Sequence, residues 1–452
     1  MKSAKSLREE ALAIWKAGVA AVDSARLIRE NLSVEHGVLS IGGESFELEK
    51  LNRVIVVGAG KAGAGMATAV EEILEPALGE RLVGWINVPE DCVVPLERIH
   101  LHAARPAGVN EPTEQGVQGA EEILKLVRSA GEGDLVLVLI SGGGSALLPA
   151  PVSGITLADK QEVTRFLASA GAPIEELNLV RRTLSAIKGG GLARAAAGAK
   201  KIISLIISDV IGDPLNVIAS GPTVATEDSP QQAIDILKRR ATFERQPPSN
   251  VVEWLNQASQ ETESTAPFPQ HVCNILIGTN AVALNAAAVE AKQRGYEVVS
   301  QGSNNSGEAS VVGVEMIRRL VQLRDETERE KPICLLSGGE PTVTLKPTNQ
   351  SRKGGRNQEL VLAALNWAMD QSLERVALLS GGTDGEDGPT DAAGGFIDEE
   401  IRQQVLEQKL NLIEYLEINN AYPCLEAIGG LLKTGPTHTN VMDLRVGLVD
   451  RS

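Results

Sequence analysis

The sequence has 452 residues, more than a single hydrophobic core usually serves, so it predicts two domains or three. Hydrophobic residues make up 43% of the chain but aromatic residues only 3%, so the cores must consist of Ala, Val, Leu and Ile. These residues usually fill the space between helices and a parallel sheet, which favours the α/β class. The formal net charge of -16 would repel a nucleic-acid backbone, so an anionic substrate must be held by a few local cations.

The four cysteines lie far apart, without a C-x-x-C pair or a histidine at ligand spacing, which argues against disulfides and zinc. Residues 1–24 mix charged with apolar positions and contain no apolar run of the kind found in signal peptides or membrane spans. We therefore expect a cytoplasmic protein, a monomer or homodimer, whose partners are small molecules rather than nucleic acid or a membrane.

In chain order, an amphipathic helix is predicted from about Leu7 to Glu30, and a polar hairpin-like segment follows around residues 41–48. Buried-strand patterns then alternate with helical stretches such as residues 62–74 and 116–130. The alternation predicts βαβ crossovers and a doubly wound, mostly parallel sheet, that is, a Rossmann-like domain. The strand patterns are Val54–Val57, Gly84–Val88, Leu135–Ile140 and Ile202–Ile207.

A stretch rich in Gln, Ser, Glu, Thr and Pro at residues 246–270 predicts a domain junction. We accordingly predict an N-terminal domain at residues 1–245 and a C-terminal domain at residues 246–452. The alternation restarts beyond the junction, so both domains are predicted to be α/β/α with mostly parallel sheets. The strand patterns of the second domain are residues 274–277, 297–299, 333–336 and 376–379.

A short pattern recurs at three predicted strand ends, where Ser-Gly-Gly follows an apolar run at residues 141–144, 337–339 and 380–382. Such turns present backbone amides without side chains at the carboxyl end of a strand. Ligands bind at that edge of open α/β sheets, and phosphate or carboxylate oxygens can reach the amides. The pattern therefore predicts anion-binding loops.

The segment Gly58-Ala-Gly60-Lys61-Ala-Gly63 follows a predicted strand and matches the G-x-G-x-x-G pattern of dinucleotide-binding turns. The acidic residue that such a site needs at the end of the next strand is matched only imperfectly, by Asn87-Val-Pro-Glu-Asp91. A Walker A loop is excluded by the spacing. A cation at a helix N-terminus is disfavoured unless it shares an anion, so Lys61 is interpreted as anion-binding rather than solvated.

The segment from Ser141 to Ser145 superficially resembles a nucleophile elbow, but it lacks the G-x-S-x-G spacing. The chain has only five histidines, none in an acid-base context, so a hydrolase triad is not expected. Two interpretations of Ser141 and Ser145 stay open, helix N-capping and direct contact with a ligand, and both can hold together.

Asp209 directly follows the predicted strand that ends at Ile207. A carboxylate in that position can hold Mg²⁺ or accept a hydroxyl proton, the two tasks that phosphoryl transfer gives to Asp. Asp213 precedes Pro214 and is better interpreted as a turn residue.

Residues 380–395 carry four acids among glycines and follow another Ser-Gly-Gly. They form either an oxygen-ligand metal loop or a polar turn, and their position after a strand end favours the functional interpretation.

Residues 351–359 form a basic loop that enters a helix, in which Arg356 can bind a carboxylate or phosphoryl group bidentately. Arg352 and Lys353 are interpreted as solvated.

Together, these motifs resemble those of the type II glycerate kinases, the glycerate 2-kinase family whose C-terminal part is called MOFRL. The resemblance implies transfer of the γ-phosphoryl group of ATP, with Mg²⁺, to the 2-hydroxyl of D-glycerate in an interdomain cleft, giving 2-phosphoglycerate. The motifs that carry it are residues 57–62, 141–147, 184–190, 208–223, 354–359, 383–394 and 434–437.

The same resemblance implies roles for individual residues. By the family pattern Lys61, Asp209 and Arg356 would be catalytic. Our hypothesis is that Asp209 orients or deprotonates the hydroxyl, while Lys61 and Arg356 neutralise the charge on the transferring group. Metal contacts would come from Asp209, Asp384 and Asp387. Contacts to substrate or phosphate would come from Gly58, Gly60, Ser141, Gly142, Gly143, Gly144, Ser145, Lys188 and Asn357.

The chain departs from the family pattern at Arg105, Thr183 and His438, where the family commonly carries His, His and Gly. Two other functions stay open on the sequence. One is an NAD(P)H-dependent hydroxypyruvate reductase, which rests on the G-x-G-x-x-G match, and the other is a non-catalytic sugar-acid-binding protein.

Overall fold

The computed structural model describes residues 2–109, 111–260, 267–326 and 331–451, which fall into two compact units. The first unit comprises residues 24–208 and 213–277. The second comprises the segments up to residue 23, 209–212 and from 278 onward. In chain order the helices are α1 (Ala4–Ala21), α2 (Ser24–Asn31), α3 (Gly63–Leu78), α4 (Glu114–Arg128), α5 (Gly144–Leu147), α6 (Leu157–Ser169), α7 (Ile174–Thr183), α8 (Gly191–Ala195), α9 (Pro230–Arg240), α10 (Ser249–Gln260), α11 (Asn280–Gln293), α12 (Ala309–Asp325), α13 (Arg356–Trp367), α14 (Glu399–Gln408), α15 (Leu412–Leu416) and α16 (Ala421–Ala427). The strands are β1 (Leu32–Glu35), β2 (Val38–Ile41), β3 (Glu44–Glu47), β4 (Arg53–Ala59), β5 (Leu82–Pro89), β6 (Ile99–Arg105), β7 (Asp134–Ile140), β8 (Lys201–Ile207), β9 (Val272–Gly278), β10 (Glu297–Ser300), β11 (Ile333–Gly339), β12 (Val376–Gly382), β13 (Gly394–Asp398), β14 (Leu431–Leu432) and β15 (Asp443–Val449).

The units do not coincide with the predicted division between residues 245 and 246. Residues 249–260 of the predicted junction form α10, which packs against α6 and α9 in the core of the first unit. The N-terminal helix belongs instead to the second unit. Composition alone gives neither result, because both depend on which distant surface an apolar helix face meets. Residues 261–266 of the predicted junction lie outside the described residues.

The main sheet of the first unit has the strand order β6-β5-β4-β7-β8-β9. Strand β4 pairs in parallel with β5 and β7, and the pairs β5–β6 and β7–β8 are also parallel. This is the 3-2-1-4-5-6 order of a Rossmann fold, which confirms the prediction for this part of the chain. The run predicted at residues 274–277 is strand β9 of this sheet, not a strand of the second domain as predicted.

The prediction of a mostly parallel sheet is wrong for the second unit. Its strand order is β10-β11-β15-β12-β13-β14, and only the pair β10–β11 is parallel. The cause is β15, which the sequence patterns did not predict and which enters the centre of the sheet antiparallel to both β11 and β12.

The central position of β15 also changes the interpretation of two Ser-Gly-Gly segments. Residues 337–339 and 380–382 are the last residues of β11 and β12, and both run alongside β15. Gly339 and Gly382 each pair with Asp443. These segments are therefore strand ends within a ladder rather than the predicted open turns, and only residues 141–144 lie beyond their strand.

The predicted helix from Leu7 to Glu30 is interrupted after Ala21 and forms α1 and α2. Helix α1 buries Leu7, Ile14 and Trp15 in one core with residues of β12 and β15. The Trp15 Nε1–H donates to the Gly381 carbonyl at 3.3 Å. Among the described residues, no helix is both long and apolar enough to cross a membrane.

We predict that Trp15→Ala lowers the free energy of unfolding of the second unit by about 3–5 kcal/mol, because it leaves a cavity in this core. Trp15→Phe keeps most of the buried area and loses one hydrogen bond, so it should cost about 1–2 kcal/mol. Urea denaturation of the two variants checks this. A Trp15→Ala protein as stable as Trp15→Phe would contradict the assigned packing.

Candidate functional site

The glycine turn after β4 is shaped by its close approach to β7. A Cβ atom on Gly58 would lie 1.9 Å from the Leu139 carbonyl oxygen. A Cβ on Gly60, whose φ is 149°, would lie 2.0 Å from the Ser141 Oγ. Only glycine fits at either position, so packing between neighbouring strands explains both glycines of the G-x-G pattern.

The backbone amides of this turn are bonded to the protein itself. The Gly60 N–H donates to the Asn87 carbonyl at 3.2 Å, and the Lys61 N–H donates to the Gly142 carbonyl at 2.9 Å. The Ala62 N–H donates to the Ser141 Oγ at 3.0 Å. A pyrophosphate cradle requires amides that point at the ligand. The geometry therefore disfavours the dinucleotide interpretation and gives no support to phosphate contacts at Gly58 and Gly60.

Ser141 thus caps the start of α3 from a neighbouring loop, which is the capping interpretation of this residue. Its side chain is buried. Lys61 is half-buried at the point where the strand order reverses between β4 and β7, the usual ligand crevice of such sheets. A Cβ on Gly143 would lie 3.6 Å from both the Lys61 Cγ and the Arg105 Nη2, so two cations border this loop.

Ser145 and Lys188, both predicted to contact the substrate, are in direct contact in the first unit. The Lys188 Nζ donates to the carbonyl and to the Oγ of Ser145, each at 2.8 Å. Burial lowers the pKa of Lys188 well below its ordinary value, and Arg181 and Lys160 lower it further by repulsion. The Ser145 Oγ also contacts the Ser220 Oγ at 3.0 Å.

Arg356 is the first residue of α13 in the second unit and is held by two acids. Its Nε and Nη2 donate to the two carboxylate oxygens of Asp443 at 2.7 and 3.0 Å, and its Nη1 lies 2.7 Å from Glu340 Oε1. Burial lowers the pKa of the Arg356 guanidinium, but Asp443 and Glu340 outweigh it and hold the pKa above its ordinary value. The side chain still exposes 31% of its surface. Arg356 is therefore a permanently charged, geometrically fixed cation.

Arg356 lines a cleft of about 740 Å³ in the second unit, together with Asp209 and Glu340. Burial raises the pKa of Glu340, and Asp443, Asp209 and Asp384 raise it further, while Arg356 opposes them. The structure thus brings the predicted residues Asp209 and Arg356 to one cleft and adds Glu340. The buried Asp443 does not line the cleft but holds the Arg356 guanidinium. The remaining lining residues are Val210, Ile211, Ser306, Pro341, Thr342, Val343, Leu345, Gly354, Gly355, Glu359, Gly388 and Asn419.

Asp387, a predicted metal ligand, is buried against the N-terminus of α13. Its Oδ1 accepts from the Asn357 N–H at 3.0 Å and its Oδ2 from the Gln358 N–H at 2.8 Å. A carboxylate satisfies the unpaired amides of a helix start and is stabilised by the helix dipole. Gly355 makes this possible, because a Cβ there would lie 2.3 Å from the Asp387 Cγ. The contact is structural.

Asn357, predicted to bind substrate or phosphate, is completely buried in the same contact between Asp387 and the start of α13. Its Oδ1 accepts from the Ser380 Oγ at 2.5 Å, and its Nδ2 donates to Asp387 at 3.3 Å. This geometry argues against both predicted roles, because Asp387 and Asn357 are buried and their polar atoms are bonded to each other and to neighbouring groups of the protein.

Asp384 lies partly exposed in the acidic loop, where its Oδ1 accepts from the Glu386 N–H at 3.1 Å. Within the described ranges, no three His, Cys, Asp or Glu side chains are grouped so that they could hold a metal ion. The predicted set of Asp209, Asp384 and Asp387 is therefore not assembled as a metal site, because Asp387 is committed to α13.

Glu340 and Asp443 were missed by the sequence patterns. Asp443 is the first residue of β15 and is completely buried, and it lies 87 residues from Arg356 in the chain. No sequence motif marks these two acids. The only signal was Arg356 itself, because a partly buried arginine in an acidic protein needs an acidic partner.

We predict a pH-dependent stability contribution from Glu359, which lines the cleft and accepts from the Asn419 Nδ2 at 3.2 Å. Burial raises its pKa from 4.5 to about 7. The folded protein therefore holds this proton more tightly than the unfolded chain, so stability falls as the pH rises through that window. Glu359→Gln removes the titration and should stabilise the protein by about 1–3 kcal/mol at pH 8 and by much less at pH 4.5.

Urea denaturation at both pH values checks this, with the exposed Glu374→Gln as the matched control. Asp387, whose pKa burial and Asp443 also raise to about 7, leaves a residual slope of the same sign in the Glu359→Gln protein. Equal effects of Glu359→Gln at both pH values would rule out a raised pKa.

Comparisons with known proteins agree over nearly the whole chain. Residues 10–256 match the family described as a domain of unknown function (DUF4147), and residues 333–443 match the MOFRL family. Glycerate kinase of Homo sapiens is 37% identical over 98% of this chain and 93% of its own length. D-glycerate 2-kinase of Thermotoga maritima is 34% identical over 98% of this chain and 99% of its own length.

Two solved structures are similar as well. A protein from Pyrococcus horikoshii has a TM-score of 0.80 and 35% identity, covering 99% of each chain. Glycerate kinase from Thermotoga maritima has a TM-score of 0.83 and 34% identity, covering 98% of this chain and 100% of that one. The fold and site define an α/β protein with a Rossmann-like unit and an arginine-acid cleft. The chain belongs to the glycerate kinase family that carries the MOFRL region, which confirms the resemblance found in the sequence.

Proposed function

We propose that this chain is an ATP-dependent glycerate kinase that transfers the γ-phosphoryl group to the 2-hydroxyl of D-glycerate and releases 2-phosphoglycerate and ADP. The observation that carries the proposal is that Arg356 and Asp209 line one cleft, in a chain that aligns with glycerate kinases over nearly its full length. The accompanying expectations are a cytoplasmic location and a monomer or homodimer.

In the proposed reaction the 2-hydroxyl oxygen of glycerate forms a bond to the γ-phosphorus as the bond to the bridging oxygen of ADP breaks. Asp209 orients the hydroxyl and takes its proton. Arg356 neutralises charge on the equatorial oxygens, and Lys61 is the further cation proposed for the reaction. Phosphoryl transfer asks mainly for positioning and charge stabilisation, so no covalent intermediate with the protein is needed.

A divalent cation fits the electrostatics of the cleft. Glu340 and Asp209 line the cleft, and Asp443, Asp209 and Asp384 all raise the pKa of Glu340 by repulsion, so the acids there would repel the polyphosphate of ATP. Mg²⁺ would cancel that repulsion, and it is usually bound by one or two carboxylates together with substrate phosphates. Asp209 and Asp384 are the proposed carboxylates, and Asp387 is not among them.

We predict that Arg356→Met lowers the kcat for glycerate phosphorylation by about 100- to 1000-fold, the usual effect of removing one donor to a developing charge. Arg356→Lys keeps the positive charge but loses the bidentate geometry of the guanidinium. Its kcat should therefore fall less than that of Arg356→Met, but still by about tenfold or more. ADP release with D-glycerate, ATP and Mg²⁺ measures both.

The exposed Arg352→Met, on the same loop, is the matched control and should behave as wild type. If Arg356→Met kept activity within a few-fold of wild type while the protein remained folded by circular dichroism, the proposed role of Arg356 would be wrong.

A further inference from the structure

A cluster of buried cations surrounds Ser145 in the first unit. The Arg181 Nη2 at the end of α7 donates to the Ser145 Oγ at 3.3 Å, the same hydroxyl that Lys188 contacts. Behind them, the Lys160 Nζ of α6 donates to the Arg181 and Leu184 carbonyls at 3.2 and 2.9 Å. Three cations of three segments therefore converge on one small region.

This cluster has no acidic counterpart. Within the part of the chain that the structure describes, none of Lys160, Arg181 and Lys188 forms an ion pair with a carboxylate. The adjacent Arg182 provides the contrast, because its Nε and Nη2 donate to the two carboxylate oxygens of Asp228 at 2.5 and 3.0 Å. Of these two neighbouring arginines, Arg182 has a carboxylate partner within the protein, whereas Arg181 has none among the described residues.

Burial makes the missing counter-charge significant. Lys188 and Lys160 expose 5% and 8% of their surface, whereas Arg181 and Ser145 are partly exposed. Burial lowers the pKa of Lys160 to about 7 and lowers that of Arg181, and Arg181 adds repulsion at Lys160. Buried charge without a partner is unfavourable, so a bound anion on the exposed side would stabilise the folded protein.

We propose that Ser145, Arg181 and Lys188 form an oxyanion site that takes the carboxylate of the small hydroxy acid substrate, with Lys160 positioning Arg181 from behind. This inference rests on the proposed function and names how the acid is recognised. A guanidinium matches a carboxylate bidentately, and the hydroxyl and ammonium supply further donors. Arg181 and Lys188 both donate to the Ser145 hydroxyl, so their donors point to one small volume. That arrangement suits a single oxyanion rather than the extended chain of phosphates in ATP.

The test compares wild type with Arg181→Met by two measurements. Isothermal titration calorimetry with D-glycerate alone, without nucleotide, should show affinity weakened by about tenfold or more, since a charge-assisted bidentate contact is lost. In steady-state assays the KM for D-glycerate should rise by a similar factor while the KM for ATP stays unchanged. Glyceramide, which lacks the carboxylate charge, should bind both proteins equally.

The exposed Arg128→Met is the matched control, and Arg181→Lys, which keeps the charge, should recover part of the affinity even if Arg181→Met folds poorly. A rise in the KM for ATP instead of glycerate would overturn the carboxylate assignment in favour of phosphate. Unchanged glycerate affinity in a folded Arg181→Met protein would overturn the site itself. Glycerate binding that depends on Arg181, without any phosphoryl transfer by wild type, would support the site and refute the proposed kinase activity.

Discussion

The site of the second unit depends on the contact between the Asp387 carboxylate and the first amides of α13. An arginine as the first residue of a helix lies at the positive end of the helix dipole, which disfavours it. The buried carboxylate of Asp387 offsets that dipole, and the carboxylate of Asp443 fixes the direction of the Arg356 guanidinium. The Gly355 that precedes Arg356 is required because no side chain fits beside Asp387. The basic loop (residues 351–359) and the acidic loop (residues 380–395) therefore pack against each other and depend on each other for their conformation.

The glycine-rich motifs of this chain serve packing first. Gly58 and Gly60 allow β4 to approach β7, and Gly355 allows α13 to meet the acidic loop. Close packing explains the glycine at each of these positions, and backbone amides that face a ligand do not. The ligand contacts that we propose are instead charged side chains, namely Arg356, Asp209, Lys61, Arg181 and Lys188.

The sequence predicted those parts of the fold that have a local cause. Strands β4, β7 and β8 are uninterrupted apolar runs, typical of a parallel sheet covered on both faces, and their alternation with helices predicted the Rossmann-like unit. Strand β15 could not be found in this way, because Asp443 and Arg445 interrupt its apolar pattern and both are buried. Its place between β11 and β12 is a long-range pairing with no local signal.

The site was predictable to a similar extent. Lys61, Asp209 and Arg356 stand out because a charge beside a glycine turn or a strand end needs a partner. The distinction between Asp384 and Asp387 did not follow from the sequence, since a carboxylate in a glycine-rich loop has the same local pattern whether it faces a cleft or a helix start. Arg181 gave no signal either, because what marks it is the absence of the partner that Arg182 has in Asp228.

If the cleft of Arg356 and Asp209 directs a phosphoryl group to the 2-hydroxyl of glycerate, the product is 2-phosphoglycerate. Phosphorus NMR of the wild-type protein incubated with ATP, Mg²⁺ and D-glycerate tests it most directly. We expect the signal of 2-phosphoglycerate to grow in step with that of ADP. The appearance of 3-phosphoglycerate alone, or of no phosphorylated glycerate at all, would contradict it.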